Sequence, residues 1–107
     1  MKRIDAIIPE KNFDAVDNSL KKANVTGLTV FSVLGRGTNQ NSPDQLGHWL
    51  YYPAFGDNKV VAILTEDEHV EKIIQAVKES TAAGKIIVTE IENLIDVADN
   101  TTGKEAL

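Results

Sequence analysis

The sequence contains no cysteine, which excludes disulfide bridges, thiolate metal sites and thiol nucleophiles. Its single methionine, Met1, also argues against a soft-metal site built on thioethers. No apolar run approaches the roughly 20 residues that cross a bilayer, and Asp5 lies where a signal peptide would have its apolar core. We therefore predict a cytoplasmic protein without a membrane-inserted segment.

Positive charge is also scarce. The chain has 11 Lys and Arg residues against 16 Asp and Glu residues, which gives a net charge of −5. The basic residues are scattered rather than clustered, so a charge-driven nucleic-acid interface is not expected. A small anionic ligand is still compatible with this composition, because a few backbone amides and one or two cations suffice to hold it.

The apolar residues that are present suffice for one core. Hydrophobic residues make up 42% of the 107 residues and charged residues 25%, which is ordinary for a single domain spanning 1–107. Apolar, β-branched runs predict strands over 3–9, 25–34, 59–64 and 85–92, with a short fifth strand over 94–97. The polar segment 98–107 is predicted to be a flexible tail, or one that a partner orders.

Two amphipathic helices separate these strands. The first is predicted to begin after an Asn12 cap and to end at Asn24 in a left-handed conformation. The second is predicted to begin with a capping box of Thr65 and Glu68, and Gly84 marks the turn after it. The apolar stripes consist of Phe13, Val16, Leu20 and Ala23 in the first helix and of Val70, Ile73, Ile74 and Val77 in the second.

The order strand–helix–strand, repeated once, predicts an α+β fold: a ferredoxin-like βαββαβ sandwich with both helices on one face of an antiparallel sheet. The predicted second and fourth strands are apolar on both sides, so a monomer would leave the other sheet face in contact with water. Burying this face against copies of the same chain is the economical solution, and we predict a homo-oligomer.

A long polar connection, residues 35–57, interrupts this compact arrangement. Ordinary connections have about 4–6 residues, and much longer ones are usually functional or disordered. Four of the chain's six aromatic residues lie within it, namely Trp49, Tyr51, Tyr52 and Phe55. Because aromatic residues form binding hot spots, the loop either contacts a partner protein or folds its aromatics back onto its own or a neighbouring subunit.

Two glycine-bearing turns are candidates for anion binding. Gly35, Arg36 and Gly37 leave the predicted second strand, and Gly84 and Lys85 lead into the fourth. Glycine lets backbone amides approach an anion closely, and a basic side chain adds charge. Each pattern is also typical of an ordinary turn or helix end, so the pattern alone leaves both interpretations open.

No set of residues indicates catalysis or metal binding. His48 and His69 have no metal-ligand spacing to each other or to a carboxylate cluster, and we predict a structural or partner-contact role for both. The acidic run 66–68 suits a helix start, and we assign it no function. No nucleophile, base and orienting group occur in a supporting context, so the chain is predicted not to be an enzyme.

Several segments, in register along nearly the whole chain, resemble the PII family of signal-transduction proteins and in particular its PII-like members. They are the opening 1–8, the segments 24–30, 35–37, 70–72 and 84–88, and the ending 102–107. The resemblance implies a compact homotrimer of ferredoxin-like subunits, with an adenine nucleotide in each of the clefts between neighbours. It also implies that the long loop, called the T-loop and spanning about 36–57, responds to the ligand and binds a target transporter or enzyme.

The family's nucleotide site can be carried over by position. The residues that would line the cleft are Ile7, Thr29, Gly35, Arg36, Gly37 and Leu64, with Gly84 and Lys85 as the phosphate-binding turn. The resemblance thus implies that the two glycine-bearing turns form one site at the ends of the second and fourth strands.

The chain also departs from the family pattern. The usual longer turn, Gly-Lys-Ile-Gly-Asp-Gly-Lys, is shortened here, and Asp96 and Ala98 stand where two phosphate-binding arginines are expected. Losing cations weakens binding of the most highly charged nucleotide most, so ADP or AMP is predicted in preference to ATP. Tyr51 lacks the sequence context of the family's modified tyrosine, which argues against uridylylation and 2-oxoglutarate sensing.

Some PII-like proteins are associated with bicarbonate transport or carboxysomes, and resemblance to them implies a bicarbonate held by Arg36 together with Asn39, Gln40 and His48. Two alternatives stay open: a nitrogen-regulatory PII protein that controls ammonium transport, and a trimeric scaffold or metal-tolerance protein of the same shape. A small enzyme that hydrolyses ATP slowly ranks last, because nothing in the sequence nominates a general base.

Overall fold

A computed structural model describes residues 1–36 and 55–107. Within them, strands and helices follow the predicted order: β1 (Lys2–Pro9), α1 (Phe13–Lys22), β2 (Thr29–Gly35), β3 (Gly56–Thr65), α2 (Val70–Ser80) and β4 (Lys85–Glu90). Short 3-10 turns occur at Glu10–Asn12, Asp67–His69 and Gly103–Ala106. The strands form an antiparallel sheet in the order β2-β3-β1-β4, which confirms the ferredoxin-like α+β fold.

The core lies between one face of the sheet and the two helices. Alternate residues of β1 point into it, and Ile4, Ala6 and Ile8 are almost fully buried. Val61 and Ile63 of β3 join them from the neighbouring strand. The helices contribute Val16, Leu20, Ile73, Ala76 and Val77. Most of the stripes predicted from helical spacing therefore reach the core, whereas Ile74 does not and Ala76 takes part instead.

The opposite side of the sheet carries no helix among the described residues, and we call it the open sheet face. By strand register it consists of Arg3, Asp5 and Ile7, of Thr29, Phe31, Val33 and Gly35, of Val60, Ala62 and Leu64, and of Lys85, Ile87 and Thr89. Phe31, Leu64 and Ile87 are each nearly half exposed, at 47%, 46% and 45%. The predicted apolar second face therefore exists, and its burial in a homo-oligomer stays a prediction.

Strand β2 begins at Thr29, where its pairing with β3 starts, rather than at residue 25, because the end of α1 extends through Val25. Asn24 has φ 65°, as predicted for a left-handed helix stop. The Val25 N–H donates to the Leu20 carbonyl at 3.0 Å, and the Asn24 N–H donates to the Lys21 carbonyl at 3.0 Å. This pair of bonds is a Schellman motif, which commits Val25 to the helix end instead of to a strand.

Both predicted side-chain caps are wrong. A 3-10 turn precedes each helix, so Asn12 and His69 already have helix-like backbone angles (φ −97°, ψ 0° and φ −98°, ψ −5°), and neither helix has a side-chain cap. A capping side chain needs an extended backbone to reach the first free amides. Thr65 is instead the buried last residue of β3, and the Asn12 side chain donates to Thr81.

The C-terminal part of the chain contains less strand than predicted. Strand β4 ends at Glu90, and the predicted fifth strand over 94–97 is reduced to an isolated bridge between Ile95 and Thr102. Segment 98–107 has its own hydrogen bonds, including a 3-10 turn at Gly103–Ala106. Its flexibility stays a prediction.

Strand β3 is longer than predicted, because its pairing with β2 continues to Gly35 opposite Gly56. The long loop therefore connects two strands whose ends are adjacent. In the described parts of the chain, no helix has both the length and the apolar character needed to cross a membrane.

Candidate functional site

The base of the long loop is the first place where predicted site residues meet. The ladder between β2 and β3 ends at Gly35 and Gly56. Just beyond it, the Arg36 guanidinium lies over the ring of Phe55, with Cζ 5.5 Å from the ring centroid. This cation–π contact joins Arg36, a predicted nucleotide-binding residue, to Phe55, a predicted partner-contact residue.

The other predicted loop residues lie outside the described part of the chain. They are Gly37 for the nucleotide, Asn39, Gln40 and His48 for a small anion, and Trp49, Tyr51 and Tyr52 for a partner protein. Their assignments stay predictions.

A second group forms at the corner between β1 and β4. Ile7 pairs directly with Lys85 across the two strands, and Gly84 precedes that pair with φ +132°. A Cβ atom on Gly84 would overlap the backbone carbonyl oxygen of Ile7. Glycine is thus required here for both its backbone conformation and the close approach of β1, and the corner places Ile7, Gly84 and Lys85 in direct contact.

A third group lies at the far end of β2. Thr29 pairs with Ala62, so Leu64 is its diagonal neighbour on the open sheet face. Thr29 and Gly35 are six residues apart on one strand, or about 20 Å at the usual rise per residue. The predicted ligands of one subunit therefore include residues at opposite ends of the sheet.

The two glycine-bearing turns are not adjacent within one subunit. Gly35 ends β2 and Gly84 precedes β4, and these strands are the two edges of the sheet, with β3 and β1 between them. Three strand spacings separate them, or about 14 Å. The separation follows from the order of the strands in the sheet, which differs from their order in the sequence.

An ion-pair cluster lies where β1 begins. The Met1 ammonium donates to Asp67 Oδ1 at 2.9 Å, and Lys2 Nζ lies 3.3 Å from the same oxygen while also donating to Glu90. The hydrogen bond from the Met1 ammonium, with that from Lys2, lowers the pKa of Asp67. The hydrogen bond to Glu90, helped by Asp67, raises the pKa of Lys2. The cluster ties the turn before α2 to the central strand β1 and the edge strand β4.

We expect Asp67→Asn to remove part of the acid sensitivity of the fold. Because the pKa of Asp67 is lower in the folded than in the unfolded chain, its stabilising effect is present above the unfolded value, about 3.9, and is lost as the pH falls through the lowered folded value. Urea unfolding at a series of pH values should show a flatter acid limb in the variant. Asp14→Asn is the control, since Asp14 forms no ion pair within the described residues; an equal flattening there would contradict the assignment.

His69 has carboxylate neighbours that the sequence spacing did not reveal. The 3-10 turn brings potential ligand atoms of Glu66, Glu68 and His69 within 4.8 Å of one another, so the prediction that His69 lies apart from a carboxylate cluster is wrong. A hydrogen bond between the two carboxyl groups raises the pKa of Glu66 and lowers that of Glu68. The cluster is largely exposed and lies outside the open sheet face.

The positions at which the family pattern has arginines form a turn of different chemistry. Asp96 Oδ1 accepts hydrogen bonds from the backbone N–H groups of Ala98, at 2.8 Å, and of Asp99, at 3.4 Å. Asp99 in turn accepts from the Thr101 hydroxyl and amide, which lowers the pKa of Asp99. Lys104 is the only basic residue in the sequence after position 90. This turn therefore offers carboxylates and amides to its surroundings but no guanidinium.

The fold and the position of these residues define a class of protein: a ferredoxin-like subunit with a long loop between β2 and β3 and an uncovered sheet face. The profile of the family "Nitrogen regulatory protein P-II" matches residues 1–101. The nitrogen regulatory protein GlnK1 of Methanosarcina mazei is 32% identical, over 100% of this chain and 97% of the relative. The P-II proteins of Rhodobacter capsulatus and Rhizobium meliloti are 30% and 28% identical over the full length of both chains.

The chain therefore belongs to the P-II family of signal-transduction proteins. The match along the whole length confirms the family that the segments of the sequence indicated.

Proposed function

We propose that this chain is a non-enzymatic regulator that binds an adenine nucleotide, ADP or AMP in preference to ATP, in clefts between the subunits of a homotrimer. The T-loop, about 36–57, controls a target protein according to the nucleotide bound. For this to occur, the nucleotide must favour one arrangement of the loop over another, and the target must distinguish those arrangements.

The observation that carries the proposal is the distribution of the candidate ligands over the open sheet face. Thr29 and Leu64 lie at one end of this face, whereas Ile7 and Lys85 form the corner at β4. A site that combines both groups is most simply completed by two subunits, each of which supplies one group. The half-exposed Phe31, Leu64 and Ile87 give the apolar contact that such an assembly needs.

The preference for fewer phosphates rests on the supply of cations. Among the candidate ligands in the described residues, Arg36 and Lys85 are the basic ones. The turn around Asp96 uses its carboxylate to bind backbone amides and adds no positive charge. Each further phosphate group brings negative charge that this set of residues does not match.

Arg36 also suggests how a bound nucleotide would act on the loop. Its guanidinium stacks on Phe55, at the opposite end of the connection that it begins. A phosphate bound by Arg36 either draws the guanidinium away from the Phe55 ring or binds it in the stacked position. Either outcome links ligand binding to the geometry of the loop base.

We expect Lys85→Ala to weaken ADP binding about tenfold or more, since a hydrogen bond between two charged groups is lost. Calorimetric titration of the trimeric protein with ADP, AMP and ATP measures this directly and also ranks the three nucleotides. Lys22→Ala is the matched control, because Lys22 lies exposed in the last turn of α1. Absence of any adenine nucleotide binding in the unmodified protein would overturn the proposal, and equal affinity in the two variants would overturn the role of Lys85.

The names of the relatives, which are nitrogen regulatory proteins, favour nitrogen status as the signal. Control of an ammonium transporter is the corresponding proposal for the target. The competing proposal, co-sensing of bicarbonate, depends on Arg36 and on loop residues outside the described part of the chain. Titration with bicarbonate in the presence and absence of ADP distinguishes the two, because coupled binding must change both affinities by the same factor.

A further inference from the structure

We infer that Thr81 and Asn12 are positioning residues for phosphate binding: they hold the short turn before Lys85 in the orientation that presents its backbone to an anion. The inference rests on the proposed function, and it concerns residues that are not among the nucleotide-binding positions carried over from the family. Asn12 lies before α1 and Thr81 directly follows α2, 69 positions apart in sequence.

The two residues form a chain of hydrogen bonds that ends at the turn. Asn12 Nδ2 donates to Thr81 Oγ1 at 2.9 Å. Thr81 Oγ1 donates to the Ala83 carbonyl at 2.9 Å and accepts a longer bond, 3.4 Å, from the Ala83 N–H. The hydroxyl thus uses its one proton and both of its lone pairs within the protein, so its role is to fix the turn and not to contact a ligand.

Because the Ala83 carbonyl and the Gly84 N–H belong to one planar peptide group, fixing the carbonyl also fixes the direction of the N–H. In a trans peptide the carbonyl and the following N–H point in opposite directions. Because the Ala83 carbonyl points to the Thr81 hydroxyl, the Gly84 N–H points away from it. The backbone of Gly84 is held on its other side by Ile7, whose carbonyl leaves no room for a side chain.

The hydrogen bonds of Thr81 matter for anion binding because the turn is short. Only residues 81–84 separate the end of α2 from β4, so there is no longer glycine-rich segment to adjust around a phosphate. A rigid Gly84 amide, one residue before the cationic Lys85, is pre-organised for an anion, whereas a loose one would lose entropy on binding. The hydrogen bonds of Thr81 supply this rigidity.

Thr81→Val tests the inference, because it keeps the shape of the side chain and removes the hydroxyl. Displacement of a fluorescent ADP analogue by ADP and by adenosine should show about a tenfold loss for ADP and little change for adenosine. Thr81→Ser restores the hydroxyl and should restore ADP affinity. Asn12→Ala should cause a smaller loss of the same kind, and in combination with Thr81→Val it should add nothing further.

The control is Ser80→Ala, which removes a neighbouring hydroxyl whose partners among residues 1–36 and 55–107 are the carbonyls of Ala76 and Val77 inside α2. Unchanged ADP affinity in a folded Thr81→Val protein would overturn the inference, and so would an equal loss for ADP and adenosine. Failure of Thr81→Ser to restore binding would overturn it as well. If the unmodified protein bound no ADP, the proposed function itself would fail, which is a separate result.

Discussion

Replacing Gly84 with alanine is expected to lower the free energy of unfolding by about 2–4 kcal/mol, a large effect for one methyl group. Two causes add. At φ +132° an L-residue is strained whatever space surrounds it, and here a Cβ atom would overlap the Ile7 carbonyl oxygen. That oxygen belongs to the central strand β1, so it cannot move aside without disturbing the ladder between β1 and β4.

Two other glycines separate these causes. Gly27 has open space around its Cα, and its φ is outside the left-handed range, so Gly27→Ala should change the stability by at most about 0.5 kcal/mol. Gly103 has φ +65° with open space, so Gly103→Ala should show the conformational cost alone, about 1 kcal/mol. Urea unfolding at one fixed protein concentration gives the ranking, and the fixed concentration matters because assembly contributes to stability. A Gly84→Ala protein as stable as Gly27→Ala would contradict the tight corner.

The sequence predicted the parts of the fold that depend on periodicity. Strand and helix order followed from the alternation of apolar residues, and the buried residues of α1 and α2 follow from helical spacing. The sequence predicts Asn24 as the left-handed stop after α1, because asparagine is one of the few residues that tolerate a left-handed backbone. These features are local, so neighbouring residues determine them.

The errors arise where distant parts of the chain compete for the same residue. Asn12 has the right chemistry for a helix cap, yet its side chain bonds Thr81, which is adjacent only after folding. Residues 25–28 are β-branched and apolar in part, which favours a strand, but Val25 hydrogen-bonds to the end of α1 in the Schellman motif. That the two glycine-bearing turns form one site stays a prediction: strand order places them at opposite edges of one subunit, so two subunits would have to bring them together.

Replacing Phe31 with lysine is expected to convert the proposed trimer into monomers, which lowers the mass in solution from about three times 11.7 kDa to 11.7 kDa. Phe31 lies on the open sheet face beside Val60 and is 47% exposed in the single subunit. If a second subunit covers this face, the substitution places an unpaired ammonium in an apolar contact, which costs several kcal/mol. Light scattering coupled to size-exclusion chromatography measures the mass, and the same sample should lose ADP binding because the cleft needs two subunits.

Leu34→Lys is the matched control for this experiment. Leu34 lies three residues further along the same strand and is 68% exposed, but strand alternation places it on the opposite side of the sheet. The same charge on the same strand should therefore leave the mass unchanged, and circular dichroism should show that both variants are folded. Dissociation by both lysines would indicate that the strand edge, and not the open face, makes the contact. A single mass of 11.7 kDa for the unmodified protein would remove the shared cleft, and the proposed division of the nucleotide site between subunits would fail with it.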